Sequence, residues 1–283
     1  MNNVTTLVVV HPLRKECYVL PPLPMHWMFR ESCGLGFDTS TNALKMVCVF
    51  KVRAPINYSN MVRKKLRTMV HVLGTNSWRE IPQVPSYPVT GEAIFANGCL
   101  HWLVSYLGIK TEDGGRQLIW FDVEKEEFGL VDPPKRMFDL GRNYSCTYDQ
   151  LVDLNGEVGY VWTRTMEVWV LNQKQWVPHC RIDKEDIHYG CHIEVMGCWN
   201  KDGDILIKSI KSSGGHNRYV FFVYNLKSGV LHKTNIAGMT DGLSPNIIMY
   251  PNTMSSIHGI NKNSFSMTKT DLKKSCRRIL SFC

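Results

Sequence analysis

Phe95-Ala96-Asn97-Gly98-Cys99-Leu100-His101-Trp102-Leu103 carries the first clear signal of the fold. Asn and Gly tolerate the positive φ that a two-residue hairpin turn demands, and the residues after the turn alternate, so two short antiparallel strands are predicted. A second hairpin follows. It runs Leu118-Ile119-Trp120-Phe121-Asp122-Val123, turns at Glu124-Lys125-Glu126, returns as Glu127-Phe128-Gly129-Leu130-Val131 and is closed by Asp132-Pro133-Pro134. Two hairpins in tandem make a four-stranded antiparallel sheet of about 40 residues, the size of one propeller blade.

Both hairpins recur. The second type is repeated as VVVHPLRKECYVL from Val8, VHVLGTNSWREI from Val70, VWVLNQKQWVP from Val168 and FFVYNLKSGVLHKT from Phe221. The bulky residues that open the returning strands, Tyr18, Trp78, Phe128, Trp176 and Leu231, are separated by 60, 50, 48 and 55 positions. That period suits blades of the kelch size class better than helical repeats. The first type recurs around Thr39-Ser40-Thr41-Asn42, Asn155-Gly156 and Asp202-Gly203, and the two types alternate strictly from residue 36 to 234. The expected fold is therefore all-β: a kelch-like β-propeller of about five four-stranded blades, four of them complete. The hairpin at Val8 has no first-type hairpin before it. Either the stretch 247–257 supplies the missing strands and closes the ring, or the chain lacks the beginning of a longer parent; ring closure by both ends removes an open sheet edge.

At 283 residues, 44% apolar and with eight tryptophans, the chain can bury a sizeable core as one domain. No run approaches the ~18 apolar residues of a membrane span, and residues 1–10 have neither the basic start nor the cleavage-type ending of a secretion signal. An intracellular location, cytoplasm or nucleus, is expected. The ten cysteines contain no CxxC pair and are expected to be reduced and buried. The net charge of +8 is unevenly placed: residues 51–67 carry +6 and residues 262–283 carry +5, which leaves −3 for the rest. The propeller is expected over 1–258, with 259–283 a basic, poorly ordered tail.

Five stretches, taken together, resemble one family. His11-Pro12-Leu13-Arg14-Lys15-Glu16 with Leu20-Pro21-Pro22-Leu23-Pro24 looks like the NPxTxExxxLPPLP signature of the F-box-associated region of plant F-box proteins. Gly36-Phe37-Asp38 with Thr41-Asn42 and Lys45-Met46-Val47 resembles their GFGYDxxTNDYKVV segment, and Leu73-Gly74-Thr75-Asn76-Ser77-Trp78-Arg79 is similar to SLxTNSWR. Asn97-Gly98 with Leu100-His101-Trp102-Leu103 matches NGxLHWL, and Phe121-Asp122-Val123 with Glu126-Glu127-Phe128 matches FDLxxExF. Beyond residue 130 the match thins to Leu154-Asn155-Gly156, Val168-Trp169-Val170-Leu171 and Tyr224-Asn225-Leu226. The resemblance implies the substrate receptor of a Skp-cullin-F-box ubiquitin ligase, a protein-binding module rather than an enzyme. His11 stands where the family has Asn. The helical F-box that docks on the ligase adaptor has no counterpart read in these residues, so adaptor binding is not expected of them. The alternatives are a stand-alone protein-interaction propeller and a basic nucleic-acid binder.

Other chemistry has weaker signals. His179, Cys180, His188, Cys191, His192 and Cys198 crowd 20 residues, but only His188 and His192 have paired metal-ligand spacing, so no metal or other cofactor is expected. No GxSxG elbow occurs, and Gly114-Gly115 and Gly214-Gly215 lack the context that cradles phosphate. The basic run at 51–67 has Tyr58 as its one aromatic, which reads as a solvated loop before a nucleic-acid site. Trp78, Trp120, Trp162, Trp169 and Trp176 sit at corresponding places in successive hairpins and are expected to pack between blades.

Loop lengths select a binding face. Turns within hairpins are short, whereas the links at 25–33, 54–67, 105–116, 135–148, 178–192 and 212–218 are long. Long loops on a rigid scaffold are the usual place of recognition. The aromatic and arginine anchors on them, Trp27, Phe29, Arg30, Tyr58, Tyr106, Tyr144 and Tyr189, form the candidate partner-binding set.

Overall fold

Asn42, Asn97 and Asn155 take φ values of 52°, 51° and 57°, and Gly98, Gly156 and Gly203 take 76°, 86° and 87°. The turn residues thus occupy the left-handed region that tight hairpins need. The computed structural model describes residues 7–11, 16–23, 28–52, 66–105, 115–135, 149–183, 187, 192–213, 216–234 and 280–281. Among them there is no helix, and the strands are β1 (Val8–His11), β2 (Glu16–Val19), β3 (Met28–Asp38), β4 (Ala43–Val52), β5 (Leu66–Val72), β6 (Arg79–Ile81), β7 (Val89–Ala96), β8 (Cys99–Val104), β9 (Leu118–Asp122) and β10 (Glu127–Val131). They continue with β11 (Asp149–Asp153), β12 (Val158–Trp162), β13 (Glu167–Asn172), β14 (Gln175–Arg181), β15 (His192–Cys198), β16 (Ile205–Ser213), β17 (His216–Asn225), β18 (Val230–Thr234) and β19 (Leu280–Ser281).

Four sheets are four-stranded meanders in chain order, β3 to β6, β7 to β10, β11 to β14 and β15 to β18. They are the four complete blades read from the hairpin alternation. The fifth sheet has the order β19-β1-β2, with β19 parallel to β1 through Val9↔Leu280 and Val10↔Ser281. The stretch 247–257, expected to complete this sheet, lies outside the described residues. Two intervals read as links are strand instead. Pairing of β3 with β4 reaches back to Met28↔Val52, so most of 25–33 is strand, and β16 pairs with β17 out to Ser213↔His216.

The chain divides into two compact units: Met1–Ser105 with Ile119–Gly129 and Asn252–Cys283, and Tyr106–Leu118 with Leu130–Pro251. In the first unit β4 is the hinge of two cores. Leu44, Met46, Cys48 and Phe50 join Leu7, Val9 and Leu20 on one face, while Val47 and Val49 join Leu100, Trp102 and Phe121 on the other. A strand buried on both faces needs a continuous apolar run, which is why Met46-Val47-Cys48-Val49-Phe50 does not alternate. Gly34 keeps β3 close to the next sheet: a Cβ there would stand 2.5 Å from that of Ala93. In the second unit Val161, Val168, Ile205, Ile207 and Phe222 form the core that joins the β11–β14 and β15–β18 sheets.

The five tryptophans of the expected series divide into two groups. Trp162 and Trp169 are buried, whereas Trp78, Trp120 and Trp176 are half-buried. Phe128 is also half-buried, packed on Phe121 at 4.7 Å and Trp102 at 6.5 Å. Trp102, wholly buried at the centre of the first unit, was not in the expected series; its truncation to Ala is expected to cost about 3–5 kcal/mol.

Candidate protein-interaction surface

Each four-stranded sheet has two unlike ends. At one end lie the turns 39–42, 73–78, 97–98, 123–126, 154–157, 173–174, 199–204 and 226–229. The other end takes the links, and there the intervals 53–65, 105–117, 132–148 and 182–191 are long, while 163–166 and 214–215 are as short as turns.

The short-turn end is closed by its own polar groups. In the first unit the Lys45 ammonium donates to Asp38 at 2.7 Å, to Glu126 at 3.0 Å and to the Val123 carbonyl at 2.9 Å, which uses all three of its protons. Asp38 in turn accepts from the Ser40 amide and hydroxyl at 2.9 and 2.7 Å and from the Thr41 amide at 3.2 Å. Burial works to raise the Asp38 carboxyl, but the bonds from Lys45, Ser40 and Thr41 outweigh it and hold the group far below the usual range. Burial likewise opposes the charge on Lys45 and Glu126, and their ion pairs keep Lys45 raised and Glu126 lowered. Arg79 closes the chain of charges by gripping both oxygens of Glu126. In the second unit Asp204 organises a turn, accepting from Asn200 at 2.9 Å, Asn225 at 3.1 Å and the Leu226 amide at 3.1 Å.

Toward the link end two of the first strands, β3 and β7, are irregular. β3 slips register between Arg30 and Ser32 and β7 between Thr90 and Ile94, whereas the slip in β15, between Val195 and Gly197, lies toward its turn end. The Ser32 hydroxyl donates to the Gly91 carbonyl and so ties the first two bulges together. Bulges end regular pairing and re-aim side chains, and they gather next to functional sites. His101 lies across the β7 bulge, 3.3 Å from the Ile94 carbonyl, and burial pushes its imidazole down to about 4.

In the second unit the bases of two long intervals meet. Arg116 Nε donates to Asp149 Oδ1 at 2.6 Å, its Nη2 to the Asp149 carbonyl at 2.7 Å, and its backbone amide to Asp149 Oδ2 at 2.9 Å. The Tyr160 hydroxyl donates to the same Oδ2 at 2.5 Å. Burial, and then the Asp149 charge, raise the Tyr160 phenol well above its ordinary value. Gly115 makes the approach possible: a Cβ there would lie 2.5 Å from the Trp162 ring and 2.8 Å from Pro133. Gly115 is thus a packing glycine rather than part of a phosphate cradle.

Of the candidate anchors, Phe29 and Arg30 lie in the first residues of β3, opposite Lys51 and Phe50, rather than in a loop. Trp27, Tyr58, Tyr106, Tyr144 and Tyr189 lie outside the described residues. Sequence reasoning missed the Arg116–Asp149–Tyr160 cluster and the Ser32–Gly91 tie. No spacing announces either, because Arg116 lies 33 and 44 residues from Asp149 and Tyr160, and Ser32 lies 59 from Gly91. Asp38 and Lys45 were legible only as parts of a family-like motif. Among the described residues no three His, Cys, Asp or Glu side chains gather closely enough to hold a metal ion.

Three proteins of Arabidopsis thaliana named as F-box proteins are similar to the chain. One is 23% identical over 167 residues, covering 59% of this chain and 44% of the relative. A second is 22% identical over 244 residues (82% and 54%), and a third 21% over 263 residues (87% and 60%). The chain therefore spans 44 to 60% of the length of these relatives. Among solved structures it is similar to Zg3597, a family 117 glycoside hydrolase of the marine bacterium Zobellia galactanivorans, with a TM-score of 0.42, 10% identity and coverage of 83% and 76%; a likeness at that level assigns nothing to this chain. The F-box associated beta propeller domain matches residues 1–263, and the chain belongs to that family.

Proposed function

We propose that this propeller is the protein-capturing part of a Skp-cullin-F-box ubiquitin ligase receptor, and that it captures its substrate at the link end of its blades. The observation that carries this reading is the contrast between the two ends. Short turns whose polar groups are spent on one another, as around Lys45 and Asp204, offer a partner little. The long intervals 53–65, 105–117, 132–148 and 182–191 leave the sheets from bases fixed by bulges and by the Arg116–Asp149 pair. Rigid bases under variable loops are the general arrangement for recognition. Docking on the ligase adaptor is the task of a helical F-box and is not asked of the propeller. This reading implies work in the cytoplasm or nucleus, without a cofactor and without chemistry on the substrate.

The test is proximity labelling in plant cells with three versions of the chain. One is unchanged; one has alanine at Trp27, Arg30, Tyr58 and Tyr144; one has alanine at Arg14, Lys125 and Lys174. The expected result is a set of proteins labelled by the first and third versions and lost with the second. Loss with the third version while the second keeps its neighbours would overturn the choice of face.

A further inference from the structure

We propose that Cys33 and Cys48 are the site of a cross-strand disulfide that forms when the chain meets a peroxide. The two residues are direct register partners in the β3–β4 hairpin, and both contribute to the same core beside Leu7, Val9 and Leu20. Neither is in a disulfide.

The decisive question is which kind of pair they form. Leu73 donates its amide to the Leu44 carbonyl at 2.9 Å, one step beyond the Lys45↔Val72 pair, and the β4–β5 register then runs without a slip to Lys51↔Leu66. Each residue of a strand turns its N–H and C=O to the same side, and successive residues alternate. Even-numbered residues of β4 therefore bond toward β5 and odd-numbered residues toward β3. Cys48 faces Cys33 as a non-hydrogen-bonded pair, in which the Cα atoms stand about 4.5 Å apart and the side chains approach closely. Disulfides need Cα separations of about 4.4–6.8 Å, so the bond can form with little movement of the backbone. No other described cysteine has this arrangement: Cys17 faces Val10, Cys99 faces Ala96, Cys180 faces Val168 and Cys198 faces Ile205.

Cys33, 7% exposed against 0% for Cys48, is the less deeply buried of the two and is assigned the first encounter with the oxidant. The Cys33 thiol gives up its proton, its thiolate attacks hydrogen peroxide, the O–O bond breaks, and the departing hydroxide takes up that proton as water, leaving a sulfenic acid. The Cys48 sulfur then attacks Cys33, the S–S bond forms, the S–OH bond breaks, and hydroxide leaves with the Cys48 proton as a second water. Two thiols lose two electrons in all and one peroxide becomes two waters. The new bond locks β3 to β4 immediately after the Arg30/Ser32 bulge.

The reduced full-length chain is treated with hydrogen peroxide, its remaining thiols are alkylated, and it is cleaved after Lys and Arg. The two cysteines fall on separate fragments, 31–45 and 46–51, each with one cysteine. The expected product is these fragments joined, two hydrogens lighter than their sum and separated by reductant. A rise in Tm on oxidation is expected in the unchanged chain and should vanish in both Cys33→Ala and Cys48→Ala. Recovery of both cysteines as alkylated thiols while other cysteines are oxidised, or as two separate sulfinic acids, would overturn the proposal. The fragment result on the unchanged chain decides it even where a variant fails to fold.

Discussion

The Arg116–Asp149–Tyr160 cluster and the Asp38–Lys45–Glu126–Arg79 chain are both ion networks under loops, yet they are built on opposite plans. The first is closed: side-chain exposure is 4% for Arg116 and 0% for Asp149. The second is graded, from 1% at Asp38 and 8% at Lys45 through 18% at Glu126 to 49% at Arg79. A buried ion pair is a weak source of net stability, because desolvation offsets the attraction, but breaking one leaves an uncompensated charge. A closed cluster therefore fixes geometry with no tolerance for loss of a member, and a graded one lets solvent replace its outer members. The closed cluster stands at the link end, where the proposed partner would press, and the graded one at the end of short turns.

The largest effect should come from Arg116→Met. With Asp149 left buried, a loss of about 3–5 kcal/mol is expected in urea unfolding. A loss no greater than that of Asp38→Asn would remove the distinction between the two plans.

Acid should separate the two units. Burial depresses His101 to about 4 and also lowers His71, so between pH 6.5 and 4 the unfolded chain binds protons that the folded first unit refuses. That contribution is whole above pH 6.5 and lost as pH falls toward 4, up to about 3 kcal/mol for His101. The lowered carboxyls of Asp38 and Glu126 contribute above about pH 4 and are lost only in stronger acid. In the second unit burial raises Asp153, whose protonation favours the folded form as pH falls. Hydrogen exchange at pH 7 and pH 5 should show β5 and β8 losing protection while β12 and β13 keep it. Equal loss in both units would break the comparison.

Within the graded chain the cost should fall from core to surface. Asp38→Asn keeps an acceptor for Ser40 and Thr41 and leaves Lys45 bonded to Glu126 and Val123, so about 1–3 kcal/mol is expected. Arg79→Ala, at the exposed end, should cost under about 1 kcal/mol. Urea unfolding of the two variants orders them, and a larger loss at Arg79 would refute the grading.

What could be read from the sequence follows from the range of the interaction. Hairpins are local: Asn97-Gly98 and Asn155-Gly156 specify a turn with two residues, so the four complete sheets and the 8–20 hairpin were legible. The family motifs reached Asp38, Lys45 and Trp78 because those residues recur as a pattern. Strand ends were less legible: 25–33 and 212–218 lack alternation, and only the partner strand shows that pairing continues to Met28 and Ser213. The Arg116–Asp149 pair could not be read at all. Nothing local marks Arg116 as buried, and its partner lies beyond a long interval.

Trp78 and Trp176 mark the finest difference between the units. Each indole reaches a carbonyl at the end of the preceding sheet, Trp78 to Pro21 at 2.8 Å and Trp176 to Asp132 at 2.6 Å, and each carbonyl immediately precedes a proline, Pro22 or Pro133. The ring neighbours differ: His71 lies 5.0 Å from Trp78, and Tyr160 meets Trp176 nearly edge-on at 5.4 Å. Substitution by Phe keeps an aromatic ring and removes the donor, so it isolates the hydrogen bond. The Asp132 carbonyl belongs to an exposed residue and water can replace the indole, whereas Pro21 is half-buried and its carbonyl is less readily rehydrated. Trp78→Phe should therefore cost about 1 kcal/mol and Trp176→Phe about half that, because the penalty of a lost bond depends on whether the remaining partner is satisfied. Urea unfolding of the two variants measures the difference. A larger loss at Trp176 would mean that its bond is shielded from water, and that the second unit relies on this clamp more than the first.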